Sequence, residues 1–69
     1  MGKNLKLKGY RAMLDLTQEQ MANKLNITGR SYIDKESGKK HFKYKEMLAI
    51  KEMVKEIKPD VTIDELFFD

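Results

Sequence analysis

The run Leu16 to Lys40, LTQEQMANKLNITGRSYIDKESGKK, reads as two short helices joined by a tight turn and followed by a glycine-ended basic loop. Thr17 can accept hydrogen bonds from the exposed backbone N–H groups of a helix start while Gln20 reaches back to it, the reciprocal arrangement of a capping box. A helix is therefore expected from Gln18. Met21, Ala22 and Leu25 follow at i, i+1 and i+4, an apolar stripe that needs a packed partner. Asn26 stands where the chain must leave this helix abruptly, and after glycine asparagine best tolerates the left-handed conformation that such an exit uses. Thr28 is a second N-cap candidate, opening a helix of about two turns over Gly29 to Glu36, and Gly38 supplies its stop.

The flanking residues supply a scaffold. Leu7, Tyr10 and Leu14 fall at i, i+3 and i+7, which favours a first helix starting near Asn4, although the Leu5-Lys6-Leu7-Lys8 alternation and Gly9 also fit an extended start. Met47, Ile50, Val54 and Ile57 form a longer amphipathic stripe from about Lys45 to Ile57, which Pro59 stops from continuing. Thr62 with Glu65 makes another capping box, opening a short last helix that carries Leu66 and Phe67 towards the core. Met21, Met47, Tyr10 and Tyr32 are assigned to packing, because methionine and aromatic residues at helical spacing are more often core than binding surface.

A chain of 69 residues with 41% hydrophobic content has material for one small core and no second domain. Such a core supplies only about 3 to 5 kcal/mol of stability. The absence of cysteine excludes disulfides and thiolate metal sites. The lone His41 cannot build a multi-histidine site, and within the basic loop it fits an exposed position better than a phosphate contact. No metal, cofactor or small-molecule ligand is expected. Nor is an enzyme, since no Ser/His/Asp set, metal cluster or glycine-rich phosphate loop is present. No apolar run approaches the roughly 18 residues of a membrane span and no secretory signal appears, so a cytoplasmic protein without membrane contact is expected.

Net charge is +3, but its distribution carries more information: Lys24 to Lys45 holds seven basic residues against Asp34 and Glu36, while residues 60 to 69 hold four acids and no base. Positive potential therefore gathers around the second helix of the pair and its following loop. A lysine-rich solvated surface accounts for such a run equally well on its own; coupled to the two-helix pattern it favours a nucleic acid.

These residues carry a resemblance. The run is similar to the Cro/repressor-type (Xre-like) helix-turn-helix of phage and bacterial regulators, with its L-T-Q-x-x-[ML]-A start, turn, second helix and E-x-G-K close. Leu16, Thr17, Gln18, Met21, Ala22, Leu25, Ile27, Ser31, Tyr32, Glu36, Gly38 and Lys39 match it. The likeness extends to Leu7-Lys8-Gly9-Tyr10-Arg11 before the run and Ile63-Asp64-Glu65-Leu66-Phe67 after it, nearly the whole chain. It implies an all-α, compact five-helix, repressor-like DNA-binding domain over residues 1–69, with the helix-turn-helix at about 17–37. Three departures stand out: Asn26 replaces the usual turn glycine, Lys35 sits where many members place an aliphatic residue, and Phe42 to Asp64 runs several residues longer. A longer fourth helix would alter dimer geometry, because family dimers form near the last helices.

Site residues follow partly from chemistry and partly from the resemblance. Gln18 stands at a helix N-terminus, where backbone N–H groups and the helix dipole favour a phosphate, and in the family this glutamine contacts the DNA backbone. The plainer reading is that it only begins a helix. The family's base-reading positions match Thr28, Gly29, Arg30 and Asp34, with Ser31 available for a phosphate or a base edge. The Arg30 guanidinium can bond O6 and N7 of guanine together, a match worth about 1 to 3 kcal/mol of discrimination. Asp34 could accept from cytosine N4, but is favoured as a partner that orients Arg30 one turn away. Gly29 has no side chain for readout and fits a close approach of backbone to DNA. Lys35 is expected to snorkel outward to a phosphate, and Lys39, Lys40 and Lys43 to lie beside the phosphate backbone. In the family an arginine of the first helix bridges the acid closing the second motif helix, which implies an architectural pair between Arg11 and Glu36; otherwise these are two unrelated surface charges.

The expected function is that of a sequence-specific transcriptional regulator binding a palindromic double-stranded DNA operator as a homodimer, with half-sites about 10 base pairs apart. The chain's end at Phe67-Phe68-Asp69 also fits a truncated repressor. The alternative is a helix-turn-helix-scaffold protein-interaction module, antirepressor or antitoxin-like, that uses the Met47 to Ile57 helix to hold a partner.

Overall fold

A computed structural model describes residues 5–68. In order these form α1 (Leu5–Met13), α2 (Gln18–Leu25), α3 (Gly29–Glu36), α4 (Tyr44–Val54) and a single π-helical turn (Asp64–Phe68), with no strand among the described residues. The expected start of α1 near Asn4 lies outside the described residues. From Leu5 onward the chain is helical, so the alternation of leucine and lysine does not make an extended start.

Three successive helices stop by the same device. At each stop a residue with positive φ (Asp15 at 59°, Asn26 at 60°, Gly38 at 93°) turns the chain. The next N–H reaches back to a carbonyl five residues earlier: Leu16 to Arg11 at 3.2 Å, Ile27 to Ala22 at 3.0 Å, Lys39 to Asp34 at 2.8 Å. Otherwise orphaned carbonyls are thereby satisfied. Asn26 and Gly38 act as their chemistry predicts. Asp15 does the same work, since a short polar side chain visits the left-handed region more readily than most.

The core draws on every element: Leu7 of α1, Met21 and Ala22 of α2, Tyr32 of α3, Phe42 of the basic loop, Ile50 and Val54 of α4, Val61, and Leu66 of the last turn. Phe42 sets its ring edgewise to both Tyr32 and Phe67, at centroid separations of 5.9 and 5.2 Å. It thus joins α3 to the C-terminal turn. Tyr10 and Met47 pack partly against this core.

Two expectations about the C-terminal half need correction. α4 ends at Val54 rather than Ile57, and Ile57 is exposed. The N–H groups of Ile57 and Lys58 both close on the Val54 carbonyl at 2.9 Å, which tightens the chain into a turn, and Pro59 disfavours helix at the residue before it. Val61, outside the helices, is buried at 2% exposure. The additional residues of this region therefore form turns, not a longer fourth helix. At Thr62 only half of the capping box is present: its hydroxyl accepts the Glu65 N–H at 3.1 Å. The Glu65 carboxylate instead accepts from the Tyr10 hydroxyl at 3.0 Å and the Lys58 ammonium at 2.6 Å, tying the last turn to α1. A charged donor outcompetes a backbone N–H for that carboxylate.

Candidate nucleic-acid interface

α2 and α3 form the central pair. Thr17 Oγ1 accepts from the Gln20 N–H at 3.1 Å while Gln20 Oε1 accepts from the Thr17 N–H at 2.9 Å, the full capping box. Thr28 Oγ1 accepts from the Ser31 N–H at 3.1 Å and so opens α3.

The inner side of this pair is fastened through Glu36. Its carboxylate accepts Arg11 Nε at 2.7 Å, Arg11 Nη2 at 3.2 Å, the Tyr32 hydroxyl at 2.8 Å and Gln18 Nε2 at 2.9 Å. Arg11 Nη1 also donates to the Leu16 carbonyl at 2.9 Å. The Arg11–Glu36 pair is thus architectural, and it gathers α1, α2 and α3 at one buried point. Burial by itself pushes the Glu36 carboxyl up, but the hydrogen bonds from Arg11, Tyr32 and Gln18 outweigh it and hold the group below the usual carboxylate range. Burial, with the bond to Glu36, pushes the Tyr32 phenol well up, so it stays a donor.

Lys35 does not reach outward. Its ammonium bonds both Glu46 oxygens, at 2.7 and 2.8 Å, with the two side chains only 8% and 10% exposed. The reason is its register: Lys35 shares the inner side of α3 with Tyr32 and Glu36, and Glu46 in the first turn of α4 supplies the countercharge. Glu46 Oε1 also accepts the Lys43 N–H at 2.9 Å, which closes the N-terminus of α4. Burial raises the Glu46 carboxyl, while Lys35 and the Lys43 N–H bring it below its ordinary value. Lys35 therefore leaves the set of candidate DNA contacts and joins the scaffold.

The outer side of α3 carries the remaining candidates. The Arg30 side chain is 80% exposed, and its Nε stands 3.6 Å from Asp34 Oδ1, the orienting arrangement favoured by their spacing. Gly29 has open space where a Cβ would stand. Thr28 is exposed and Ser31 partly so. Lys39, Lys40 and Lys43 are exposed as well. The loop that carries them is folded back onto the helix, because the Asp34 carbonyl accepts Lys39 N–H at 2.8 Å, Lys40 N–H at 3.2 Å and Ser37 Oγ at 3.1 Å. His41 is exposed, as its place in the loop implies. Gln18 is drawn inward by Glu36 with one amide hydrogen; a primary amide has a second, and the α2 N-terminus remains beside it.

Sequence reasoning missed Tyr32 and Gln18 as donors to Glu36, and Glu46 as the partner of Lys35. The Tyr32 contact had a signal, since residues 32 and 36 are one helical turn apart. The other two join different helices and had none.

Acid is expected to weaken this scaffold. Both Glu36 and Glu46 carry folded-state values below their unfolded ones, so their stabilisation is complete above the ordinary glutamate value of about 4.3 and is lost as pH falls through the folded values. Thermal unfolding followed by circular dichroism from pH 7 to 3 should show the melting temperature falling below about pH 4.5. A flat profile would contradict the assigned hydrogen bonds. No family model, curated protein or solved structure matches the chain.

Proposed function

We propose that this chain is a sequence-specific DNA-binding transcriptional regulator of Cro/repressor-like, helix-turn-helix type, acting in the cytoplasm on double-stranded DNA. The observation that carries this reading is the outward side of α3: an exposed Arg30 guanidinium steadied by Asp34, on a helix fastened from behind by Glu36 and Lys35 and bordered by Lys39, Lys40 and Lys43. A base-reading helix must hold its side chains in register before it meets the groove, and fastening on the inner side does that while the outer side stays open. α3 enters the major groove, where Arg30 bonds guanine O6 and N7. The three lysines and the α2 N-terminus at Gln18 meet phosphates, giving affinity that falls with salt. Bound as a two-fold homodimer, the chain occupies a palindrome with half-sites about 10 base pairs apart.

α4 exposes Tyr44 and Leu48 one turn apart, an apolar pair that a second subunit would cover. The same pair favours the second reading, an antirepressor or antitoxin-like module that docks another protein through α4. Arg30→Ala separates the two, since it abolishes sequence preference under the first and leaves protein binding intact under the second.

The test is selection of bound duplexes from a random-sequence library, followed by affinity against salt for the winner and a scrambled duplex. A palindromic winner favoured by about 10³ or more supports the regulator. Uniformly weak binding that salt erases, with no enriched sequence, refutes it.

A further inference from the structure

We propose that Ile33 reads the methyl group of a thymine adjacent to the guanine read by Arg30, an inference that rests on the DNA-binding reading above. α3 spends Tyr32, Lys35 and Glu36 on its buried side. By i, i+3 and i+4 spacing, Arg30, Ile33 and Asp34 share the opposite side with Ser37 just beyond the helix, and Gly29 stands at its edge. Ile33 lies between Gly29 and Arg30 around the helix and is 42% exposed. A lone exposed aliphatic residue elsewhere on a protein needs no explanation. Here its neighbours give it one.

Helical side chains lean towards the N-terminus, so Ile33 covers surface over the preceding turn, where Gly29 lies. Gly29 presents no side chain, and a Cβ placed there would meet nothing within 4 Å. On the other flank stands the Arg30 guanidinium, 3.6 Å from Asp34. One patch therefore combines an apolar wall, an open shelf and a double donor.

In the major groove the thymine C5 methyl is the apolar group on a base edge, and guanine offers the O6/N7 acceptor pair. A thymine beside a guanine matches the patch on both counts. Cytosine in the thymine's place would set its N4 amino group against isoleucine, losing water without gaining an acceptor. Ile33 thus selects for thymine and against cytosine.

The test uses the duplex recovered by selection, with each thymine of a half-site replaced in turn by deoxyuridine, which removes the C5 methyl and keeps the pairing. One replacement, next to the guanine on which Arg30→Ala acts, should weaken binding about fourfold, the size of one buried methyl group. In Ile33→Ala that thymine-to-uracil difference should shrink to near unity, and in Ile33→Val it should persist. Because Ile33 is exposed, both variants should keep the parent melting temperature. Silent replacement at every thymine, or a penalty unchanged in Ile33→Ala, overturns the role of Ile33 while leaving the regulator intact. A chain that enriches no duplex overturns both, and loss of a protein partner in Ile33→Ala would then assign the residue to protein docking.

Discussion

Arg11→Ala should leave the chain largely unfolded at room temperature. The Glu36 carboxylate collects four donor contacts, two of them from Arg11, and its side chain is 3% exposed. Removing the guanidinium leaves a buried negative charge with two neutral donors, Tyr32 and Gln18, in place of a cation. Breaking a buried pair from one side costs about 3 to 5 kcal/mol. A domain of this size holds only about 3 to 5 kcal/mol in total. The loss is also not confined to one helix, because Arg11 donates to the Leu16 carbonyl as well and so fixes the link between α1 and α2. Urea denaturation followed at 222 nm is the direct measurement. Arg11→Lys, which keeps the charge and loses the two-pronged geometry, should fall between the parent and alanine. A cooperative alanine variant whose stability lies within about 1 kcal/mol of the parent would show that Tyr32 and Gln18 satisfy Glu36 by themselves.

Glu46→Ala should cost about 3 kcal/mol, while the paired replacement Lys35→Met with Glu46→Leu should return to within about 1 kcal/mol of the parent. The single change takes the carboxylate from beside an ammonium that is nearly enclosed, and it also strips the Lys43 N–H of its acceptor at the start of α4. The double change removes both buried charges and fills the space with apolar atoms, while the loss of the cap remains. What distinguishes the two is therefore the solvation of one charge rather than the strength of one bond. A single-variant cost below about 1 kcal/mol would mean that the lysine stem swings out and carries its charge to water.

The local chemistry of the chain was legible because it is local. Thr17 with Gln20, Thr28, Asn26 and Gly38 each act on residues within four or five positions, and each does in the structure what its chemistry predicts. The Arg11–Glu36 pair came from the resemblance, since 25 residues separate the partners and no spacing rule connects them. Lys35 was misplaced for the same reason. A lysine has a long stem, and whether it reaches water or a buried acid depends on what faces it, here a glutamate eleven residues later on another helix. The stripe that ends in Ile57 misled because periodicity continues past the point where the backbone stops: Val54 accepts two N–H groups and closes the turn. Phe42 and Val61 escaped notice as core residues because both lie outside the helices, where no period marks them.

The division of α3 into two sides has a bearing on how such a chain can diverge. Tyr32, Lys35 and Glu36 are bound into the scaffold, whereas the Arg30 and Ile33 side chains are exposed and Gly29 has open space where a Cβ would stand. Substitution on the second group is nearly free of stability cost, and substitution on the first is not. Descendants of this sequence can therefore acquire a new outer surface on α3 by a few changes while inheriting the same folded body. An engineer swapping those three positions would be following the route that the architecture leaves open to evolution.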